Sequence, residues 1–527
     1  MKKWNFKYTL LAACPLLLAT ACTKIDVPVE NELTPDNFPK TEKQMILATG
    51  PAYVQFRNSY ATSFWQLQTL STDEAILPSR AGGWYDGGRY QQMHYHNWTA
   101  DNAIVADSWN WGFSTISTCN RILWQLEKAD ETPFKKTVIA ELRTLRAISL
   151  YFMMDAYGNI PVPVTFGSAD LPVQKKRTDV FAFIEKEIQE VIPQLSTAND
   201  ATTYGRPNKF TAFALLAKMY LNATQYDQAP KYTQAVAMCD SIIVSRKYDL
   251  EDDFVKMFYP DNGPRVKEFI FAVPYDQANA KGCQFSWMSL HPALQPKYNL
   301  AYRLSNPVST LPAYYAQFNL AGDVRNDMWL IGKQSFFDGR PIIIKTTKKG
   351  LDNNYNGPDP TAPVDFQLEF TPNVTLVNAD RFEVGGDELG KAKGIRNIKY
   401  YPDVTATSRD QSNDVAVFRY ADVLLMKAEA ELRGAAVTNG ETPESLVNQI
   451  RTKRKATTVG TITLDELLME RARELNWEGW RRNDLIRYGK YEGSWGYKTD
   501  NNTFKRIFPI PSAESILNPS LQQNPGY

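Results

Sequence analysis

Long stretches of the chain repeat apolar residues at three- and four-residue steps, which places them on one face of an α-helix. Between 103 and 128, Ile104, Trp109, Ile116 and Leu123 follow this step. The same pattern predicts helices over 134–157, 178–195, 208–223, 229–245, 414–433, 443–454 and 464–480. Because each apolar face needs a partner, we expect these helices to pack as antiparallel pairs with short connections.

Three helix starts carry capping signals. Thr41 with Gln44, and Thr463 with Glu466, have the spacing of a capping box, in which the two side chains satisfy each other's backbone N–H groups. Thr178 is a third candidate cap. We expect a helix to begin directly after each of these residues.

One predicted helix pair has the spacing of a repeat. Leu216, Ala217, Tyr220 and Ala229 fit the start of a tetratricopeptide repeat: a large apolar residue, a small one, an aromatic, then a small residue in the second helix. The later positions of that consensus are poorly met. An ordinary helical hairpin explains the pattern equally well.

Two segments lack long periodic runs. Residues 62–101 and about 250–411 are rich in Gly, Pro, Asn, Asp and aromatic residues. The second segment is far too long to be one loop. We therefore expect a helical scaffold formed by about 41–61, 102–249 and 412–527, with an elaborated irregular subdomain built on it.

The N-terminus has the three parts of a secretory signal. A basic start leads into an apolar run of about 14 residues, which is shorter than the ~20 needed to span a bilayer. The run ends at small residues before Cys22, as in a bacterial lipoprotein signal. We predict that residues 1–21 are removed, that Cys22 is lipidated, and that 22–40 form an extended tether. Lipidation at Cys14, or a plain secretory signal cut near position 21, are the alternatives.

Composition narrows the possible classes of protein. The chain is 43% hydrophobic and 22% charged, which is typical of a globular protein and excludes a disordered or polytopic membrane protein. With 59 basic and 58 acidic residues, no excess charge favours nucleic acid or an anionic lipid surface. Beyond the signal, Cys119, Cys239 and Cys283 are too few and too widely spaced for a disulfide framework. We expect Cys119 and Cys239 in the core.

Six stretches along the chain carry distinctive motifs. They are CTKIDVPVENELTPDNFPKT at 22–41, STDEAILPSRAGGWYDGGRYQQMHYHNW at 71–98, ELRTLRAISLYFMMDAYGNIPVP at 141–163, RYADVLLMKAEAEL at 419–432, ERARELNWEGWRRNDL at 470–485 and FPIPSAESILNPSLQQNPGY at 508–527. In this order they resemble the SusD/RagB family, surface lipoproteins of Bacteroidota that capture nutrients for a TonB-dependent transporter.

The resemblance implies a mostly α fold over 41–527, with four TPR-like helix pairs as the scaffold. It implies that the irregular segments pack on this scaffold and carry the ligand site. It further implies a glycan-binding protein without catalysis or cofactor, lipid-anchored in the outer membrane and facing the cell surface. The expected partners are a SusC-like TonB-dependent transporter and an oligosaccharide, with a peptide ligand as the alternative.

Candidate ligand-binding residues lie in the irregular segments, because sugar rings bind on flat aromatic faces beside a few polar groups. Trp84 and Tyr85 stand among glycines that permit an exposed turn. A second group is Phe285, Trp287, His291, Tyr298 and Tyr302, and a third is Trp329, Phe336 and Phe337. Core packing is the alternative for each ring. Asp73, Arg80 and Asn97 are candidate partners for sugar hydroxyls.

Three other patterns have a chemical and a structural interpretation. Glu470, Glu474 and Glu478 step by four and resemble the paired carboxylates of a glycosidase, but arginines on the same helix can pair with them. His94 and His96 have the spacing of two metal ligands on one face of a strand, without a third histidine nearby. Residues 352–359 are rich in oxygen ligands and form either a Ca²⁺ loop or a solvated turn.

Overall fold

The computed structural model describes residues 39–346 and 364–527. Residues 1–21, Cys14, Cys22, most of the tether 22–40 and the stretch 352–359 lie outside the described residues. Within the described ranges, no helix combines the length and apolar character needed to cross a bilayer.

Helices form most of the regular structure. The helices of the N-terminal half are α1 (Glu42–Ser59), α2 (Trp65–Leu70), α3 (Arg89–Tyr95), α4 (Ala103–Glu127), α5 (Pro133–Tyr157), α6 (Arg177–Val191), α7 (Lys209–Leu221) and α8 (Tyr232–Ile243). Those of the C-terminal half are α9 (Phe285–Ser289), α10 (Pro312–Tyr315), α11 (Glu388–Ala392), α12 (Tyr420–Leu432), α13 (Pro443–Lys453), α14 (Leu464–Leu475), α15 (Arg481–Arg487) and α16 (Ser512–Leu517).

The strands of the described residues are short and pair antiparallel, two by two. They are β1 (Ile160–Pro161), β2 (Gln174–Lys175), β3 (Phe269–Val273), β4 (Trp329–Leu330), β5 (Gly332–Lys333), β6 (Ile343–Thr346), β7 (Val364–Gln367), β8 (Glu369–Phe370), β9 (Arg396–Asn397) and β10 (Val415–Arg419). The pairs are β1–β2, β3–β10, β4–β9, β5–β8 and β6–β7.

The scaffold is built from packed helix pairs. Helix α4 packs on α5, α7 on α8, and α12 on α13, while α8 also packs on α12 and so joins the two halves. The mostly helical fold predicted from the periodicity is confirmed. In the α7–α8 pair, however, Ala229 precedes α8 and is exposed, so it is not the small residue of a second repeat helix.

Two of the three predicted caps are confirmed. Thr41 and Thr463 each form a complete capping box with the residue three positions on. Thr178 is not a cap. Helix α6 begins at Arg177, two residues before the predicted start, with Lys176 at the N-cap, and the Asn159 side chain accepts the Arg177 N–H at 2.8 Å.

Two predicted helix boundaries are wrong. The helix predicted over 414–433 begins at Tyr420, because Val415–Arg419 forms β10 and pairs with β3 in a fully buried ladder. The helix predicted over 464–480 ends at Leu475, and Trp477 then adopts a φ of 60°. A left-handed residue cannot continue a right-handed helix, so Glu478 lies in the following turn.

The irregular segments have a core of their own. Leu290, Leu294 and Phe370 pack together in a cluster separate from the main scaffold core. The ladder of β3 and β10 connects this subdomain to α12. The long irregular segment is therefore a folded layer on the helices. Cys119 and Cys239 are buried in the scaffold core, as predicted.

Candidate functional site

A tight turn presents Trp84. Arg80 and Gly83 exchange both backbone hydrogen bonds, at 3.0 and 3.1 Å, around Ala81 and Gly82, which both have positive φ. This is the geometry of a primed β-turn, which favours glycine. The Glu383 carboxylate accepts the N–H groups of Ala81 and Gly82 at 3.1 and 2.8 Å and so holds the turn. Burial opposes ionisation, but these N–H donors keep the pKa of Glu383 below its ordinary value.

Trp84 is held in an unfavourable backbone conformation. Its φ is 67°, a region that bulky residues rarely occupy and that costs about 1–3 kcal/mol. The indole Nε1–H donates to Ser305 Oγ at 2.9 Å, which ties the ring to a loop about 220 residues away in sequence. The ring remains only partly buried. Such strain is a feature of ligand-binding sites.

Trp287 of α9 lies against Trp84. The two rings meet edge to face, with centroids 5.3 Å apart and planes at 62°. The Trp287 carbonyl accepts the N–H groups of Ser305 and Asn306 at 3.0 and 3.1 Å. The guanidinium of Arg409 lies over its ring, 4.9 Å from the centroid. Trp287 of the short helix α9 thus contacts the Trp84 ring, the loop at Ser305 and Asn306, and the Arg409 guanidinium.

Two cavities share both indoles, and we call them together the tryptophan cleft. The larger cavity measures about 430 Å³, and the smaller about 220 Å³. Beyond Trp84 and Trp287, the larger is lined by Arg80, Ala81, Gly83, Pro292, Arg303, Leu304, Ser305, Asn306 and Lys391. The smaller is lined by Thr62, Ser63, Gln66, Arg89, Tyr90, Ile104, Asp107, Gln284, Met288 and Arg409. These volumes suit an oligosaccharide segment.

Asn306 in the wall of the larger cavity has no polar partner. Its side chain is 1% exposed, and neither amide atom has a hydrogen-bond partner among the described residues. Its φ is 57°, in the left-handed region. A buried amide left unpaired costs about 1–3 kcal/mol, which a hydrogen bond to a ligand would recover. An amide can donate to one sugar hydroxyl and accept from the next.

The charged groups of the cleft fall into paired and unpaired sets. Arg89 pairs with Asp86 at 2.8 Å, and Lys391 with Glu388 at 2.6 Å. Arg303 and Arg409 are exposed and have no carboxylate partner among the described residues. Asp107 is the acidic side chain in the lining, and burial raises its pKa despite Arg89.

The structure brings together some of the predicted site residues. Trp84, Trp287 and Arg80 line the cleft. Arg80 is buried, and its guanidinium donates to the carbonyls of Pro307, Gly390 and Lys391, so it supports the wall and has few donors left for a ligand. Burial lowers the pKa of Arg80 to about 9, although Glu383 opposes the shift.

Asp73, Tyr85 and Asn97 do not line the cleft. The Asp73 carboxylate pairs with Arg481 at 2.6 and 2.8 Å. Tyr85 is partly buried beneath the Arg381 guanidinium, 5.1 Å from its ring centroid. Asn97 is exposed beyond the end of α3. Each of these side chains lies outside the two cavities.

The remaining aromatic candidates belong mostly to the core. Trp329 is 6% exposed and packs edge to face on Phe318. Tyr298 is 4% exposed and packs between Phe337 and Tyr401. Trp329 and Tyr298 therefore pack in the core, which is the alternative given above for each ring. We leave both residues out of the proposed site. Tyr302 and His291 are buried too, and Phe336 is partly buried.

Sequence reasoning missed Arg303, Ser305, Asn306 and Arg409. They lie in loops without periodicity. Ser305 contacts Trp84 and Arg409 contacts Trp287 across more than 100 residues of sequence, and Arg303 and Asn306 line the same cavity as both indoles. The one local signal is the polar run Arg303–Asn306, with Leu304 inside it, directly before Pro307. No spacing rule connects such a run to distant tryptophans.

The three glutamates with glycosidase-like spacing are sealed in the scaffold. Glu470, Glu474 and Glu478 are at most 4% exposed, and all of them pair with buried arginines or lysine. Burial opposes ionisation, but Arg325 and its neighbours lower the pKa of Glu470 to about 2. A catalytic pair has to reach a bond in a cleft. This arrangement stabilises the fold instead.

The histidine pair does not lie on a strand. His94 is in α3 and His96 is its left-handed C-cap, and both are fully buried. Burial lowers the pKa of His94 to about 3. In the described ranges, no cluster of three or more His, Cys, Asp or Glu residues has the arrangement of a metal site.

A scaffold of helix pairs carrying a loop-built cleft defines a class of helical binding proteins. Two family profiles match parts of the sequence. The profile of the SusD family matches residues 386–527, and a profile described as starch-binding and associating with outer membrane matches 32–221. The two matches lie at opposite ends of the chain and agree with the resemblance to the SusD/RagB family predicted from the motifs.

Individual relatives agree with this assignment. The starch-binding protein SusD of Bacteroides thetaiotaomicron is 27% identical, covering 74% of this chain and 72% of that protein. SusD-like protein P38 of Formosa agariphila is 25% identical over the full length of both chains. The first of these relatives is named as a binding protein.

Solved structures share the fold. Surface glycan-binding protein A of Bacteroides thetaiotaomicron, in complex with laminarihexaose, has a TM-score of 0.69 at 20% identity, covering 92% of this chain and 99% of that one. A SusD superfamily protein of Parabacteroides distasonis has a TM-score of 0.70 at 18% identity, covering 92% and 99%. At these identities the likeness establishes the fold alone.

Proposed function

We propose that this protein is a surface glycan-binding lipoprotein. It captures oligosaccharides in the tryptophan cleft and delivers them to a SusC-like TonB-dependent transporter, without breaking a bond. Delivery requires release, so we expect a Kd between ~1 mM and ~1 μM, or about −4 to −8 kcal/mol. Two indoles and a few hydrogen bonds supply free energy of this size.

The observation that carries the proposal is the unpaired Asn306 amide beside the Trp84–Trp287 pair. The indoles offer apolar faces to sugar rings, and the amide offers a donor and an acceptor to hydroxyls. Strain at Trp84 shows that the fold holds this ring in place against local backbone preference.

The named ligands of relatives support a glycan. One relative is named as starch-binding, and one structural neighbour was solved with laminarihexaose. A peptide ligand, as in RagB-like importers, is the alternative outcome of the binding test. It predicts binding of peptides and none of glycans.

Affinity electrophoresis of the purified protein in gels containing plant, microbial or host glycans tests the proposal. Retardation by one glycan class, without cleavage of that glycan, supports it. Trp84→Ala and Trp287→Ala should reduce the retardation, while Trp124→Ala, which removes an exposed indole on α4 outside the cleft, should not. Normal retardation of both cleft variants would place the site elsewhere.

The membrane anchor and partner are further parts of the proposal. The description of one matching family as associating with outer membrane supports that location. We expect Cys22→Ala to release the protein from the membrane fraction and Cys14→Ala to leave it there. We expect the wild-type protein to copurify with a TonB-dependent transporter from its own membrane. Release by Cys14→Ala alone would move the anchor to that residue.

A further inference from the structure

The tryptophan cleft has an excess of positive charge. Arg303 in the larger cavity and Arg409 in the smaller lack a carboxylate partner among the described residues. Lys391 and Arg89 share the lining, but each is neutralised by its own carboxylate. The whole chain is nearly neutral, with a formal net charge of +1, so this local excess is not a general property of the surface.

The lining offers little negative charge to balance these cations. Asp107 is the acidic residue among those that line the two cavities. It lies near Arg89, which already has Asp86. Two guanidinium groups therefore remain for a ligand, one in each cavity.

The unpaired cations are positioned beside the sugar-binding surface. Arg409 lies over the Trp287 ring, which holds its charge next to the indole while its N–H donors stay unpaired. Arg303 shares a cavity wall with Asn306 and Trp84. A guanidinium binds planar or tetrahedral anions through two parallel hydrogen bonds, which a neutral hydroxyl cannot match.

Resting on the glycan-binding function proposed above, we infer that the ligand is an acidic oligosaccharide whose anionic groups are bound by Arg303 and Arg409. The sugar rings lie on Trp84 and Trp287, and Asn306 binds hydroxyls in the larger cavity, which it shares with Arg303. A uronate carboxylate and a sulfate ester both present the oxygens that a guanidinium binds. The experiment below separates them.

The test compares each acidic glycan with its own neutral form. The probes are polygalacturonate and its carboxyl-reduced form, a sulfated galactan and its desulfated form, and poly-glutamate as an acidic peptide. Affinity electrophoresis gives an affinity for each. We expect at least about tenfold tighter binding to one acidic glycan than to its neutral form, and loss of that preference when NaCl rises from 50 to 500 mM.

Arginine variants assign the preference to the cleft. Arg303→Gln and Arg409→Gln should each weaken binding of the preferred acidic glycan about fivefold and change binding of its neutral form less than twofold. Arg340→Gln is the matched control, because Arg340 also lies over an aromatic ring, Phe336, at 5.0 Å but outside the cleft. It removes the same charge and should have no effect.

The outcomes separate this inference from the function on which it rests. Equal binding of acidic and neutral glycans, with loss only in Trp84→Ala, overturns the inference and keeps the glycan-binding function. Binding of poly-glutamate alone overturns both and indicates an acidic peptide. Binding of none of these probes overturns the inference, and the wider glycan panel described above then decides the glycan-binding function. Preference for polygalacturonate supports a uronate, and preference for the sulfated galactan supports a sulfate ester.

Discussion

The scaffold interior and the tryptophan cleft both contain arginines, but three of those in the scaffold are buried and paired, whereas two of those in the cleft are exposed and unpaired among the described residues. In the scaffold, Arg325, Arg419 and Arg454 are fully buried and converge on Glu474 at 3.0, 2.8 and 2.8 Å. In the cleft, Arg303 and Arg409 are exposed and lack a carboxylate among the described residues. A buried charge has to be paired to be tolerated, whereas an exposed one remains available.

The comparison extends to uncharged groups. The Asn397 side chain, in the layer that faces the scaffold, donates its Nδ2–H to Asn476 Oδ1 at 3.0 Å, and its Oδ1 accepts the backbone N–H of Lys399 at 2.8 Å. Asn306 in the cleft has no such partner among the described residues. Asn397 therefore has a structural role, whereas the Asn306 amide in the wall of the cleft remains available to a ligand. The four predictions below test this difference, from the largest expected effect to the smallest.

Removing one member of the scaffold network should be strongly destabilising. Glu474→Ala leaves Arg325, Arg419 and Arg454 with less compensation in the interior, which costs about 3–5 kcal/mol of unfolding free energy. Chemical denaturation measures this loss. The control Glu190→Ala breaks an exposed pair with Arg143 and should cost at most about 1 kcal/mol. Equal effects of the two variants would contradict the comparison.

A buried histidine should make the protein less stable as the pH falls. Burial lowers the pKa of His94 from 6.5 to about 3, so below pH 6.5 the unfolded chain binds a proton that the folded chain does not. By pH 5 this single residue removes about 2 kcal/mol of unfolding free energy. Denaturation of wild type and His94→Gln at pH 7 and pH 5 checks this. Between pH 7 and pH 5, the unfolding free energy of the variant should fall by about 2 kcal/mol less than that of the wild type. Identical losses would rule out His94 as a source of the pH dependence.

Removing an indole of the cleft should weaken binding and leave the fold intact. Trp84→Ala and Trp287→Ala should each weaken glycan binding by at least about 1 kcal/mol, because the apolar face under a sugar ring is lost. Trp84→Ala also removes a bulky residue at a positive φ, so we expect no unfolding. Calorimetric binding and thermal unfolding are measured on the same samples. Unfolding without a specific binding defect would make both rings structural.

Replacing the unpaired amide should affect binding alone. Asn306→Gly keeps the left-handed backbone and removes a group that bonds to no other described residue, so unfolding free energy should change by less than about 1 kcal/mol. Glycan affinity should fall about fivefold. Asn439→Gly is matched, since Asn439 has the same φ of 57° and is exposed. Normal affinity of the Asn306 variant would remove this residue from the site.

Part of the site was predictable from the sequence. The glycines around Trp84 indicated an exposed turn, and the structure has that turn, although Trp84 itself also takes a positive φ. Trp287 and Trp329 looked alike, since both lie in irregular segments. Trp287 borders the cleft, whereas Trp329 packs in the core. The segments that pack against each ring decide whether it is covered.

The helices were the most predictable part of the fold, but their limits were not. Helix α4 spans 103–127, close to the predicted 103–128. In contrast, Val415–Arg419 has the residues of either a buried helix or a strand, and its pairing with Phe269–Val273 makes it a strand. That partner lies more than 140 residues earlier in the chain.

Local sequence determined the long amphipathic helices and the capping boxes at Thr41 and Thr463, because these depend on residues within a few positions of one another. The tertiary structure alone decided which polar groups are paired. Glu474 meets Arg325 and Arg419 from distant segments, and Arg303 and Arg409 meet no carboxylate of the described chain. Whether a charge is neutralised depends on distances of a few ångströms in space, and these are set by the packing of segments far apart in sequence.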